Sequence, residues 1–509
     1  MTADGLVLRR PRVAASLIAS DAWRFVARHW SIFAALAITF LIHAPTLRYF
    51  FDGDDFVVLG SINHAGTGAY LRDTVLMRDI VPNWRPLTGA IYALEWHVFG
   101  LDAAGWRAVN LSLHLASVAV LYMLLLRVTR RPAVGAVAAV IFGVSGAHFD
   151  TVTYITALPH VLATLLVLSS MLAIIAYAQD GERNAAPYWL SFVLFALAFL
   201  ANEGHFVYAP VIVLAYALFA ARWRRAPTWR GMLRLALHGA PFAAIATGWG
   251  VYYQWWGHEQ LTFEGYYWGG HVVTNYAVYL SWLVVPAGLI PKDPDAMRWT
   301  LAAIAVAAGA LAAWRGPAIA RVAVAGVVIA LLPYVPVEIW TASRYSYSAV
   351  AFFAPVAAIA GYALYDRARR AHPLAYTPAT LLALIAVATV ASLYGWQTYA
   401  QDRRSGIATD RWQLLVNELR ANYDDVPDGT TIYIVDGPWT NPMEQYTWVP
   451  SVARALYGDA AAFNLPRGTF EAEQPDLRHA RVLEWRWGEG LRPVWVVIDA
   501  PERPEGITR

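Results

Sequence analysis

Apolar runs of roughly 16–25 residues recur between Ile32 and Tyr399, with short arginine-bearing segments between them. At ~1.5 Å per helical residue, one such run matches the hydrocarbon thickness of a bilayer. Inside a bilayer every backbone N–H and C=O must be satisfied within the chain, so these runs have to be helices. Composition agrees: 58% of the residues are hydrophobic and 15% charged, against the about 25% charged residues of an average soluble domain. The expected class is a polytopic α-helical membrane protein. The net charge of +3 is small, and the arginines sit between apolar runs. They read as topology signals rather than as a nucleic-acid footprint. With no cysteine there is no disulfide, thiolate metal site or cysteine nucleophile. Abundant Ala, Arg and Gly with a single lysine, Lys292, fit a bacterial chain in the inner (plasma) membrane.

The charge rule orients the segments. Arg9, Arg10, Arg12, Arg24 and Arg28 make residues 1–30 a cytoplasmic amphipathic lead-in, too polar for a cleaved signal peptide. The first crossing, Ile32–Tyr49, then runs outward and delivers Phe51-Asp52-Gly53-Asp54-Asp55-Phe56 to the outer face. A long outer loop, 50–105, follows; it holds Trp84-Arg85-Pro86-Leu87-Thr88 and an amphipathic stretch, Leu87–Phe99. Trp106–Leu126, Ala133–Ala147 and Leu158–Tyr177 read as the next crossings. The run Tyr188–Ala220 is too long for one crossing and short for two. Arg183 before it and Arg222, Arg224 and Arg225 after it put both ends inside, so Asn202-Glu203-Gly204-His205 becomes an outer hairpin turn. Leu235–Trp256, Thr300–Trp314, Val322–Val337, Tyr345–Tyr365 and Leu374–Tyr399 complete about eleven crossings, with Val272–Leu289 read as an outer hydrophobic segment that does not cross. The membrane domain is thus 31–400. Beyond it, 401–509 reads as a small extracytoplasmic α/β domain with strands at Thr431–Val435 and Val494–Ile498 and a helix at Asp410–Arg420.

This topology uses no functional residue as input, yet it gathers Asp54, Asp55, Arg85, Asn202, Glu203, Arg344 and the turn His148-Phe149-Asp150 on one face. Each has an ordinary reading: a solvated turn, a headgroup contact, a capped loop. Together, at membrane depth, they point to a shared site. A carboxylate with an arginine, facing outward beside lipid, suits sugar transfer from a polyprenyl phosphate. The carboxylate takes the acceptor hydroxyl's proton, and the arginine holds the departing phosphate, replacing the second acid that glycoside hydrolysis needs. The anomeric centre inverts. Outer aromatics Trp84, Trp96, Tyr266, Tyr267 and Trp268 read mostly as interfacial belt residues.

Four stretches, Asp54-Asp55-Phe56-Val57, Trp84-Arg85-Pro86-Leu87-Thr88, Asn110-Leu111-Ser112-Leu113-His114 and Ser343-Arg344-Tyr345-Ser346-Tyr347, resemble GT-C class membrane glycosyltransferases. More narrowly, they resemble the membrane part of the TPR-bearing transmembrane O-mannosyltransferase family and its bacterial relatives. The resemblance covers roughly 30–360. It implies a polyprenyl-phosphate sugar donor, mannose among the sugars, and a protein or glycan acceptor. It makes Asp54 and Asp55 catalytic, with Asp54 the preferred base, and Arg344 a donor-phosphate ligand, with Arg85 a second candidate. Glu203, Asn202, His148, Asp150 and Tyr345 are substrate-binding candidates. Two positions depart from the pattern: Asn202 stands where the family tends to have Lys, and His160 where an acidic residue is expected. The TPR array is absent from the sequence. A Mg²⁺ or Mn²⁺ site would draw on Asp54, Asp55, Asp150 and Glu203; the arginine reading needs no metal cofactor and is preferred. A transporter or lipid flippase is the main alternative, and a non-catalytic receptor working through 401–509 a further one.

Overall fold

The computed structural model describes residues 30–76, 84–220, 228–252, 266–285, 295–338, 341–371, 426–439, 444–473, 480–487 and 493–499, and, between 393 and 423, residues 393, 395–397, 399–400, 403, 406 and 409–423. The lead-in 1–29, Asn83, Arg222–Arg225 and all of Leu374–Ser392 lie outside this set.

Among the described residues, five helices are long and apolar enough to cross a membrane: α1 Trp30–Arg48, α5 Ala103–Thr129, Ile155–Gln179 (whose α-helical part is α8, Leu158–Gln179), α13 Asp295–Arg315, and the span Ser343–Arg370 containing α15, Tyr347–Ala371. Shorter apolar helices lie between them: α6 Pro132–Gly143, α9 Ala186–Ala201, α10 Ala209–Phe219 and α14 Ala318–Leu331. α8 is the axis of the bundle and packs on α5, α9, α10 and α15. α13 stands at the edge with Ile304, Val306 and Leu311 exposed. A helix hydrophobic on its outer face is at home only against lipid.

The hairpin inferred for Tyr188–Ala220 is present. α9 stops at Asn202, whose backbone is extended and whose side chain caps the next turn by accepting from the Gly204 N–H at 3.1 Å. A 3-10 turn, Glu203–Tyr208, leads into α10. Val272–Leu289 appears as α12, His271–Val284, which at ~1.5 Å per residue is short for a bilayer. α11 is Trp229–Tyr252. The loop after α1 is helical: α2 Gly53–Ala65, α3 Thr67–Leu76 and α4 Pro86–Phe99, with Pro86 in its first turn, where the missing N–H costs nothing. A five-residue helix, α7 Phe149–Thr153, follows α6.

The C-terminal region forms a four-stranded sheet, β1 Thr431–Val435, β2 Ala461–Leu465, β3 Ala480–Trp487 and β4 Pro493–Asp499, in the order β2-β1-β3-β4. β1 pairs parallel with both β2 and β3, while β4 returns antiparallel. The strands read from sequence are β1 and β4. β2 and β3 escape the sequence because Asn464 and the charges of Arg481, Glu484 and Arg486 break the apolar run. Helix α16 (409–422) and α17 Val449–Tyr457 cover the sheet, with α18 Arg467–Glu473 beyond β2. Trp412 and Trp439 stack at 4.9 Å in its core.

α17 lies directly along α2. Gly53 and Gly60, seven positions apart, sit on the contact face. A Cβ on Gly53 would overlap the Trp448 ring, and one on Gly60 would come 2.8 Å from the Ser451 carbonyl oxygen. At the far end, Asn63 donates to the carbonyls of Arg454 and Ala455 at 3.0 and 3.3 Å, holding the last turn of α17. The C-terminal domain is thereby fastened to the first helix after the first span.

Candidate active site

The acidic stretch is the buried start of α2, not a solvated turn. Phe51 and Phe56 are fully buried against Trp106 and Trp412, which anchors the chain on both sides of the carboxylates. Asp52 is the N-cap. Its side chain accepts from the Gly53 N–H at 2.7 Å, and its own N–H donates to Asp55 Oδ2 at 2.9 Å, closing a capping box. Asp55 Oδ1 accepts from the Thr156 N–H at 3.2 Å, so each oxygen of Asp55 already holds a backbone donor. Burial pushes the Asp55 carboxyl up to about 7, opposed mainly by the Arg107 charge. Arg107, itself buried, donates to the carbonyls of Tyr49 at 3.1 Å and of Phe50. Asp54 faces the other way and accepts from the indole N–H of Trp448 at 2.7 Å.

Arg344 lies in the 3-10 turn Ser343–Ser346 at the head of α15. Its guanidinium is 4.0 Å from Asp150 and sits over the rings of Tyr154 and Tyr345, 5.5 and 5.3 Å from their centroids. Asp150 is held by the Ser343 hydroxyl. Burial raises the Asp150 carboxyl, and the Arg344 charge counters it. Thr156, two positions beyond Tyr154, donates to Asp55 at 3.2 Å, so the segment 154–156 lies between the start of α2 and Arg344.

Arg85 makes a different arrangement. Its Nε and Nη2 donate to Glu203 Oε2 and Oε1 at 2.8 and 3.1 Å, a two-point clamp. Beside it, Asn202 is buried with its amide 3.4 Å from His160 Nδ1. The Tyr334 hydroxyl is 3.3 Å from that same nitrogen, and the Tyr334 ring stacks on Tyr345 at 4.5 Å. Asn202 and His160, the two departures from the family pattern, thus face one another, and both are neutral-capable side chains where a charged pair was implied. A continuous run of contacts leads from Arg344 through Tyr345, Tyr334 and His160 to Asn202, next to the Arg85–Glu203 clamp.

Of the sequence candidates, Asp54, Asp55, Asp150, Arg344, Tyr345, Arg85, Asn202 and Glu203 are gathered in this one region. His148 contributes backbone to the 3-10 turn Gly146–His148, and its side chain lies outside the described set. Asn110 and His114 are supports: Asn110 donates to the Tyr154 carbonyl at 2.8 Å, while His114 meets the Tyr347 hydroxyl at 2.8 Å and the Gly143 carbonyl at 3.1 Å. Sequence reading missed Arg107, Tyr154, Tyr334 and Trp448. Arg107 carried a signal, an arginine one position into an apolar span after Trp106. Trp84, read as a belt residue candidate, stacks on Trp249 at 5.2 Å. Tyr266, Tyr267 and Trp268 are exposed, as belt residues are.

Both oxygens of Asp55, both of Glu203 and those of Asp150 already face donors within the protein. Among the described residues, no three His, Asp or Glu side chains have metal-ligand spacing.

No protein-family model matches the chain, and no curated protein does. Solved structures do. ArnT from Cupriavidus metallidurans matches in its apo state with TM-score 0.50 and 15% identity over 92% of this chain and 93% of ArnT. ArnT bound to undecaprenyl phosphate matches with TM-score 0.50 and 12% identity over 90% and 92%. The oligosaccharyltransferase of Archaeoglobus fulgidus, tethered to an acceptor peptide, matches at TM-score 0.49 and 12% identity; this chain covers 64% of its length. At such identities the likeness is one of fold. The chain has the GT-C-like membrane fold with a small C-terminal α/β unit.

Proposed function

We propose that this protein is an inverting glycosyltransferase that moves a sugar from a polyprenyl phosphate to an acceptor hydroxyl at the outer face of the membrane. One observation carries the reading: the short segment 154–156 bridges the two ends of the membrane domain, its Thr156 N–H on Asp55 beside Asp54 at 3.2 Å and its Tyr154 ring 5.5 Å from the Arg344 guanidinium. ArnT, which shares the fold nearly end to end, binds undecaprenyl phosphate, and that supports the donor class.

In this reading Asp54 is the base. Its neighbour Asp55 has both oxygens committed to backbone N–H groups and serves to hold the loop. The acceptor hydroxyl gives its proton to Asp54, and its oxygen forms the new bond to the anomeric carbon on the face opposite the phosphate. The bond from that carbon to the phosphate oxygen breaks, and its electron pair leaves on the polyprenyl phosphate. Arg344 meets the growing phosphate charge, so no metal cofactor is invoked. Tyr345 and Tyr334 supply a flat wall beside the sugar. Mannose is the sugar we favour, on the motif resemblance. The acceptor is a protein or glycan, and the active site and the C-terminal domain face the periplasm of the bacterial inner membrane.

The test compares glycans and glycoproteins by mass spectrometry with and without the gene, then restores the gene as wild type or Asp54→Asn. The expected result is a glycan feature that disappears on deletion, returns with wild type and stays absent with the variant; full restoration by Asp54→Asn would sink the assignment.

A further inference from the structure

We propose that the C-terminal domain supplies a positioning residue to the catalytic carboxylate: the indole N–H of Trp448 holds Asp54 in place and fixes which of its oxygens receives the proton. The proposal rests on the reading of Asp54 as the base. Trp448 Nε1 donates to Asp54 Oδ1 at 2.7 Å across nearly four hundred positions of sequence. Trp448 is only half-buried, so its N–H is not driven to this partner by exclusion from water. A neighbouring indole repeats the contact: Trp412 donates to Asp52 Oδ1 at 3.2 Å. Two successive acidic side chains of the membrane domain therefore each receive an indole N–H from the C-terminal domain.

The local fold is built around this contact. Trp448 ends a π-helical turn, Glu444–Trp448, which runs into α17. Such turns are rare and concentrate at functional sites. The turn is held by Arg411, which donates to Glu444 at 2.6 Å, and the Trp448 ring meets Trp412 edge-on at 6.2 Å. On the other side, only a glycine at position 53 leaves room for the ring. With Oδ1 engaged by Trp448, Oδ2 is the oxygen left to accept the acceptor's proton.

The test uses the full-length protein in isolated membranes with endogenous substrates, reading the initial rate of the glycan feature that gene deletion removes. Trp448→Phe removes the N–H while keeping an aromatic ring. The expected result is a rate about tenfold lower. Trp448→His, which restores a ring N–H, recovers part of the lost rate. Gly53→Ala, which displaces the indole, gives the same direction of change, and adding it to Trp448→Phe costs less than adding it to wild type. Binding of undecaprenyl phosphate to the purified variants stays as in wild type. An unchanged rate in Trp448→Phe overturns the proposal, as does a loss of lipid binding in step with the rate or no recovery in Trp448→His, either of which would make Trp448 a folding residue. Failure of the underlying reading looks different: Asp54→Asn would then be active whatever Trp448 does.

Discussion

Arg85 and Arg344 carry the same charge and similar exposure, 21% and 26% of the side chain. They differ in what already holds them. Arg85 has two short hydrogen bonds to one carboxylate, so its charge is spent inside the protein. Arg344 is 4.0 Å from Asp150, whose oxygen on the other side is taken by Ser343, and its flanks are tyrosine faces. A guanidinium has five donors in a rigid fork, and ring faces use none of them. The clamp at Arg85 builds the wall; the looser set around Arg344 keeps donors available for an anion. The motif resemblance puts Arg344 first and Arg85 second as phosphate candidates, and the contacts separate them by what already holds each.

This comparison breaks most easily at its functional end. Arg344→Ala is expected to lower transfer by about 10²–10³-fold with the protein still folded, and Arg344→Lys to recover part of it, since a point charge replaces the fork. Initial rates in membranes, with thermal stability as the control, check this. Asp54→Asn should cost about 10²–10⁴-fold, the range of a lost general base. At Arg85 the large effect should be on stability. Arg85→Met leaves Glu203 without its partner and should cost about 2 kcal/mol, less than a fully buried pair because water reaches both groups. The double change Arg85→Met with Glu203→Met should cost less than the sum of the single changes, read by thermal unfolding in detergent. If Arg85→Met instead kept stability and lost lipid-phosphate binding, the roles of the two arginines would have to be exchanged.

The smallest expected effect concerns pH. Asp55 sits at about 7 in the fold against an ordinary 3.8, so the folded form holds its proton more tightly. Its contribution is present in full below about pH 4, and it falls as pH rises toward 7 and stays low above that. Protection of the α2 amides from hydrogen exchange should therefore weaken between about pH 4 and 7. Asp55→Asn should flatten that dependence while losing the Asp52 N–H bond. An unchanged slope in the variant would assign the pH dependence to another group.

Apolar run length and arginine placement were enough to read the membrane class and the paired helices on either side of Asn202. These are local properties, set by hydrocarbon thickness and by the requirement that backbone groups be satisfied along the run. β1, β4 and α16 were legible for the same reason: each is a short segment with its own period. What no stretch of sequence contained was the pairing of charges. That Arg85 is clamped and Arg344 is not, that Asn202 meets His160, and that Arg107 braces the loop before Asp52 all depend on contacts between segments distant in the chain. The acidic pair shows the division most clearly. Sequence placed Asp54 and Asp55 beside each other and preferred Asp54 as the base, without a contact to tell them apart. The fold turned Asp55 inward onto two backbone amides and Asp54 outward onto an indole from the far end of the chain, because the start of a helix presents neighbouring side chains in different directions.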